Sequence, residues 1–194
     1  MRRLALRAIP IALLGIGLSW TAAASAAADT VPATGTFQMT TSPGILPTWT
    51  RADIALIGIA PGAVITSPAD QSARIDLPVV AKTGTANATA GGFRLVNTST
   101  GEAVRCLVPT VDTRARLIEC LTSSGYSLAL FEVSDIDERT KIATDTTRTT
   151  IFEGMDIRLL NSAMADRLNK ELDTSVFSDS VQIAEGSLVV TRAR

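Results

Sequence analysis

Two cysteines, three lysines and one short acidic run are the residues from which this sequence can build chemistry, and histidine is missing from all 194 positions. Without an imidazole, the Ser–His–Asp mechanism and the commonest metal ligand are both excluded. Cys106 and Cys120 stand in AVRCLVP and RLIECLT, two β-rich runs joined by a loop near Asp112. A hairpin centred on Thr113 sets residues whose numbers sum to 226 opposite each other, so that Cys106 faces Cys120 and Val108 faces Ile118. At the roughly 4.5 Å Cα separation of a non-hydrogen-bonded antiparallel pair a disulfide can close, so a Cys106–Cys120 bridge is expected, with two buried thiols as the alternative. The separation is not the C-x-x-C of a redox catalyst, and no neighbouring group is placed to activate a thiol.

Lys82-Thr83-Gly84 matches a tripeptide of penicillin-recognising enzymes. None of Lys82, Lys141 and Lys170 sits in the companion Ser-x-x-Lys, however, so the tripeptide reads as a turn. Asp135-Ile136-Asp137-Glu138 offers oxygen ligands of the kind calcium takes, but without the spacing or glycine of an EF-hand it reads as a solvated turn. A carboxylate-pair hydrolase leaves no sequence signature. Sugar clefts do carry aromatic platforms, and beyond residue 28 the chain has only Trp49, Tyr126 and five phenylalanines. Asn87-Ala88-Thr89 and Asn97-Thr98-Ser99 fit the glycosylation sequon and read as polar loop residues, while Trp49, Ile54, Ile57 and Ile59 read as core rather than as an exposed patch. No catalytic, cofactor-binding or metal-binding residue is assigned, and no cofactor is expected.

Residues 1–28 have the tripartite form of a secretory signal peptide. Arg2, Arg3 and Arg7 are the positive region, Ile9 to Trp20 the apolar region, and Ala22 to Ala28 a small-residue run with cleavage positions at Ala26 or Ala28. Removing those 28 residues and their three arginines leaves 166 residues with 15 basic and 19 acidic side chains, a net charge of −4. That balance lacks the basic excess of a nucleic-acid binder. No second apolar run reaches the length of a membrane span, so the mature chain is expected to be secreted or held at the cell surface.

Residues 29–35 read as a flexible lead-in to a single β-rich domain over 36–194. Short strands are expected at Thr36 to Thr40, Gly62 to Thr66, Ile75 to Val80, Phe93 to Asn97, Ala103 to Pro109, Arg116 to Leu121 and Tyr126 to Val133. Lys141 to Phe152 supplies one or two more, and Val181 to Thr191 closes the chain as a strand or hairpin broken at Gly186. Pro78 assigns its strand to an edge or a bulge. Thr48 to Ile57 fits a helix capped by Thr48 or Thr50, with a strand at Ile54 to Ile59 as the alternative. Residues 81–92 (AKTGTANATAGG) have almost nothing to bury and read as a mobile connection. Near the end the period changes: Asn161 can cap a helix through Leu172, with Ala165, Leu168 and Leu172 on one face. Eight to ten strands with one short C-terminal helix over about 161–172 give an all-β fold, a β-sandwich or barrel-like module.

The run Gly154-Met155-Asp156-Ile157-Arg158-Leu159-Leu160-Asn161, then Ala163, Ala165-Asp166-Arg167-Leu168-Asn169, Phe177 and a small-residue closing strand, resembles secreted actinobacterial modules of the haem-transport HtaA type. Ile75-Asp76-Leu77-Pro78 and Gly91-Gly92-Phe93-Arg94-Leu95 are similar to the preceding strands of those modules. The chain departs from them in having Asn161 for a threonine, no glycine just after Phe177, and no histidine. The resemblance implies an exported β-rich architecture. Haem sites of that family use tyrosine supported by histidine, and Tyr126, the single tyrosine, lies outside any matching motif, so no haem ligand is carried over and specific haem binding is not expected. The expected role is a secreted or envelope-associated binding or structural protein without catalysis, its partner an envelope component or an extracellular protein. The alternative is a carboxylate-based hydrolase acting on envelope polymers.

Overall fold

The computed structural model describes residues 29–122 and 125–194. The expected leader over residues 1–28 lies outside the described residues. In chain order the elements are β1 (Thr30–Thr41), α1 (Ile45–Arg51), β2 (Ile54–Ile59), β3 (Ala63–Ser67), β4 (Ser72–Thr83), β5 (Ala86–Thr89), β6 (Gly92–Asn97), β7 (Ala103–Asp112), β8 (Leu117–Leu121), β9 (Ser127–Ser134), β10 (Asp137–Ala143), β11 (Thr147–Leu159), α2 (Ser162–Glu171) and β12 (Gln182–Ala193). Eight strands close an antiparallel barrel in the order β7, β5, β4, β1, β12, β11, β9, β8, with β8 returning to β7. The sandwich-or-barrel expectation thus resolves to a barrel. Outside the ring, β6 and β2 extend from β7, β3 flanks β4 and β10 flanks β11.

Register shows what fills the lumen, because residues directly opposite in an antiparallel ladder project from the same face. Phe37 pairs with Leu77 on one side and Leu188 on the other, and Leu188 pairs with Phe152. Phe37, Leu77 and Leu188 are fully buried and Phe152 nearly so. Both helices cover one end. Trp49 of α1 packs on Phe177 at 5.6 Å between ring centroids. Met164, Ala165 and Leu168 of α2 are buried, and Asn161 caps α2 as its spacing indicated, its Oδ1 accepting from the Met164 amide at 3.0 Å. The free space left under the helices is about 30 Å³, lined by Trp49, Phe93, Phe131, Leu168 and Phe177 among others.

Several sequence expectations need correction. β1 starts at Thr30, because β4 and β12 hydrogen-bond the 29–35 segment that reads as a flexible lead-in. The segment read as mobile contains β5, the stave that bridges β4 to β7. Its inward residues are polar, Asn87 and Thr89, both completely buried: Asn87 Nδ2 donates to the Thr85 and Val111 carbonyls, and Thr89 Oγ1 to the Pro109 carbonyl at 2.7 Å. Hydrophobic periodicity cannot register such a strand. Pro78, by contrast, fits its edge-or-bulge expectation: it sits in the gap where β4 exchanges its neighbour β3, last paired at Asp76, for β5, first paired at Val79, beside the ladder shift between Val79 and Ala81. α1 stops at Arg51, and β2 follows after Asp53 in the left-handed region, so helix and strand both exist in succession. Gly44 starts α1, while Thr48 and Thr50 bond back to the Gly44 and Leu46 carbonyls instead of capping. β12 runs through Gly186 without a break.

Candidate functional site

α2 lies against β7, and between them the sequence leaves a gap that core side chains do not fill. A groove of about 240 Å³ opens there, its floor made by Cys120, Leu128, Leu130, Met164 and Leu168 and its rim by Arg105, Arg167 and Glu171. The apolar floor follows from strand alternation on β8 and β9 meeting the buried stripe of α2. Arg167 is held by Glu171 one turn on, Nε to Oε1 at 2.7 Å, whereas Arg105 is exposed with no ion pair among the described residues. Past Ala103 and Arg167 the groove widens into a shallow depression of about 870 Å³ bordered by Thr100, Glu102, Asp166, Lys170 and Asp173. A slot of mixed lining, with apolar side chains at its floor and guanidiniums at its lip, suits a ligand with an apolar body and an anionic end. Of these residues the sequence alone singled out Cys120 and Leu168. Arg105 and Met164 carry no sequence signal, since nothing in their neighbours announces that a helix will settle across them.

The disulfide joins Cys106 to Cys120, with Cα atoms 4.7 Å apart and both residues buried, and Cys120 forms part of the groove floor. The expected pairing is therefore right but its register is not. Leu107 opposes Leu121, then the ladder shifts, and Val111 rather than Val108 opposes Ile118. Val108 lies in the left-handed region at φ +44°, its amide donating to the Gly91 carbonyl, which bulges β7 between the two halves of the ladder.

The other candidates are dispersed. Tyr126 immediately precedes β9, is 75% exposed and has no partner for its hydroxyl among the described residues. Asp137 is paired with Arg139 at 3.0 Å, and Glu153 joins them, so a guanidinium occupies the acidic run; the same carboxylates raise the Arg139 pKa. Among the described residues no group of three or more acids or cysteines is arranged for a metal. Asn87 and Asn97 are buried instead of lying on loops, which removes both as glycan acceptors in the folded chain. Asn97 Nδ2 donates to the Leu172 carbonyl at 2.8 Å, and its Oδ1 accepts from Ser99 and Thr100. Trp49 and Ile54 are core as expected, with Ile57 and Ile59 half-buried. Lys82, from the Lys-Thr-Gly turn, ends β4 facing the lumen beside Asn87. The depression is bordered by Glu102, Asp166, Glu171 and Asp173, but all four are exposed and Glu171 is held by Arg167. Nothing there buries one carboxyl to make it a general acid.

No family model matches this sequence, and no curated protein does. The fold does have a counterpart. The structure of the heme binding protein HtaB from Corynebacterium glutamicum superimposes with a TM-score of 0.53, covering 86% of this chain and 96% of that one at 11% identity. The chain has an HtaB-like fold. At that identity the likeness concerns architecture, and it agrees with the sequence resemblance to HtaA-type modules.

Proposed function

We propose that this is an exported, non-catalytic binding protein of the cell surface or exterior, which holds an apolar ligand with an anionic end in the groove between α2 and β7. The groove itself carries the reading: an apolar floor with Arg105 and Arg167 at its lip, above a lumen too full to admit a ligand. The HtaB likeness supports a binding role, since that protein binds haem, a flat apolar molecule with carboxylates. The leader read in residues 1–28 and the disulfide support export. An envelope component or an extracellular protein would supply or receive the ligand.

Titrating the protein with a long-chain fatty acid, and separately with hemin, tests this. Saturable binding of at least one of them is expected, weakened about tenfold or more when Arg105→Gln and Arg167→Gln are combined, since each removes a charge-assisted contact. No saturable binding of either would overturn the proposal. The exposure of Tyr126 favours a second reading, haem held by iron ligation at that phenol. Its mark would be a one-to-one Soret shift abolished by Tyr126→Phe. That shift is not expected, because no donor or cation supports the hydroxyl among the described residues.

A further inference from the structure

At the end of the barrel away from the helices, three cations turn toward the axis. Arg192 is the ladder partner of Ala33, which is buried, and of Arg148. Lys82 is the partner of Val31 and of buried Asn87. Arg148, Arg192 and Lys82 therefore project from the inner faces of β11, β12 and β4, and all three are half-buried. None takes part in a salt bridge among the described residues, and neither arginine has a hydrogen-bond partner there. Lys82 Nζ reaches only Asn87 Oδ1, at 3.4 Å.

Two acids near this mouth, Asp112 and Glu138, offset part of its charge without forming a salt bridge to any of the three cations among the described residues. Asp112 is engaged by the Thr85 hydroxyl and the Arg114 and Ala115 amides, at 2.8 to 2.9 Å. Glu138 opposes the inward-facing Phe152 and so projects from the same face, although it is exposed. Burial lowers the Lys82 pKa, and Arg192 lowers it further, followed by Arg148, while Asp112 and Glu138 pull it back up. A protein whose expected mature charge is −4 thus gathers three cations at one partly dehydrated end, with two acids offsetting them in part. Such an arrangement is unfavourable when empty and favourable around an anion.

We propose that this end of the barrel binds a tetrahedral oxyanion of the phosphate type between Lys82, Arg148 and Arg192. Two guanidinium forks and an ammonium offer more donors than one carboxylate can accept, and a phosphate presents oxygens in several directions at once. The site lies at the opposite end from the α2 groove and does not depend on a ligand there.

Thermal unfolding and isothermal titration at constant ionic strength test it, with sodium phosphate against sodium chloride. One saturable phosphate site and a raised Tm are expected. Arg148→Gln combined with Arg192→Gln should weaken binding about tenfold for each guanidinium removed. In chloride alone that variant should melt no lower than the parent, because it relieves repulsion. Competition on the unmutated protein serves if the variant does not fold: sulfate should displace phosphate and acetate should not. Glycerol phosphate separates the sources, since its binding at the same site means the group arrives on a larger molecule and its exclusion means the free ion. Equal behaviour in phosphate and chloride, or unchanged phosphate affinity in the folded double variant, would refute the proposal.

Discussion

Replacing Asn97 by alanine should loosen α2 without touching it. The Asn97 side chain is 3% exposed and connects the end of β6 to the C-terminal end of α2 through the Leu172 carbonyl at 2.8 Å. Leu172 is fully buried, so its carbonyl has no water to turn to when the amide is removed. Leaving such an acceptor unsatisfied costs about 1 to 3 kcal/mol. The Ser99 and Thr100 amides, bound to Oδ1 at 2.9 and 3.2 Å, belong to exposed residues and recover most of their bonding from solvent, adding about 0.5 kcal/mol each. The expected total for Asn97→Ala is about 3 kcal/mol, or a fall in Tm of about 6 to 12 °C for a chain of this size. Denaturant unfolding gives the free energy, and hydrogen exchange should show the amides of 165–172 opening faster than those of β1 and β12. Asn97→Asp keeps the acceptor and loses the donor. Its buried carboxylate against a carbonyl should titrate above its unfolded value, so this variant should recover stability as pH falls through that raised pKa. A loss below about 1 kcal/mol for Asn97→Ala, or unchanged exchange in α2, would refute the reasoning.

Replacing Cys106 and Cys120 by alanine should cost about 2 to 4 kcal/mol with the fold kept, and non-reducing peptide mapping of the parent should join the two; titratable thiols in the folded protein would contradict the bridge. Burial alone would raise the Asp112 pKa, but the Ala115 amide, the Thr85 hydroxyl and the Arg114 amide together outweigh it and hold the pKa below its usual value. Its contribution is present above about pH 3.9 and is lost as pH falls through the lower folded value, so Asp112→Asn should lose about 1 kcal/mol at neutral pH and show a shallower acid limb in pH-dependent unfolding. Mass spectrometry of exported protein should find an N-terminus near Ala27 or Asp29, and an intact Ile9 to Trp20 segment would overturn the assignment of the leader.

What the sequence disclosed depended on whether an element advertises itself locally. α2 did, because its cap and apolar stripe are consecutive features, and so did the cysteine pair, two similar runs either side of a polar loop. β5 did not: both of its inward side chains are polar and are satisfied by main-chain groups of Thr85, Val111 and Pro109. The first residues of β1 were equally silent, since their partners are Lys82 and Thr83 on one side and Thr191 and Arg192 on the other. The Cys106–Cys120 register failed by a bulge at Val108, a backbone irregularity with no compositional mark. The groove belongs to the same class, because Arg105 and Arg167 acquire a common purpose only once α2 has docked.

The pairing of β1 with β12 bears on when the ring can close. A chain made N-terminus first delivers β1 and its partner β4 early and its other partner β12 much later, so the ring cannot close before residues 182–193 are present. Until then β1 and β11 both carry bare edges, the state most open to a passing chaperone or to another copy of the chain. Truncation before Gln182 would make that state permanent. A ring that only β12 can lock stays open until that strand is made.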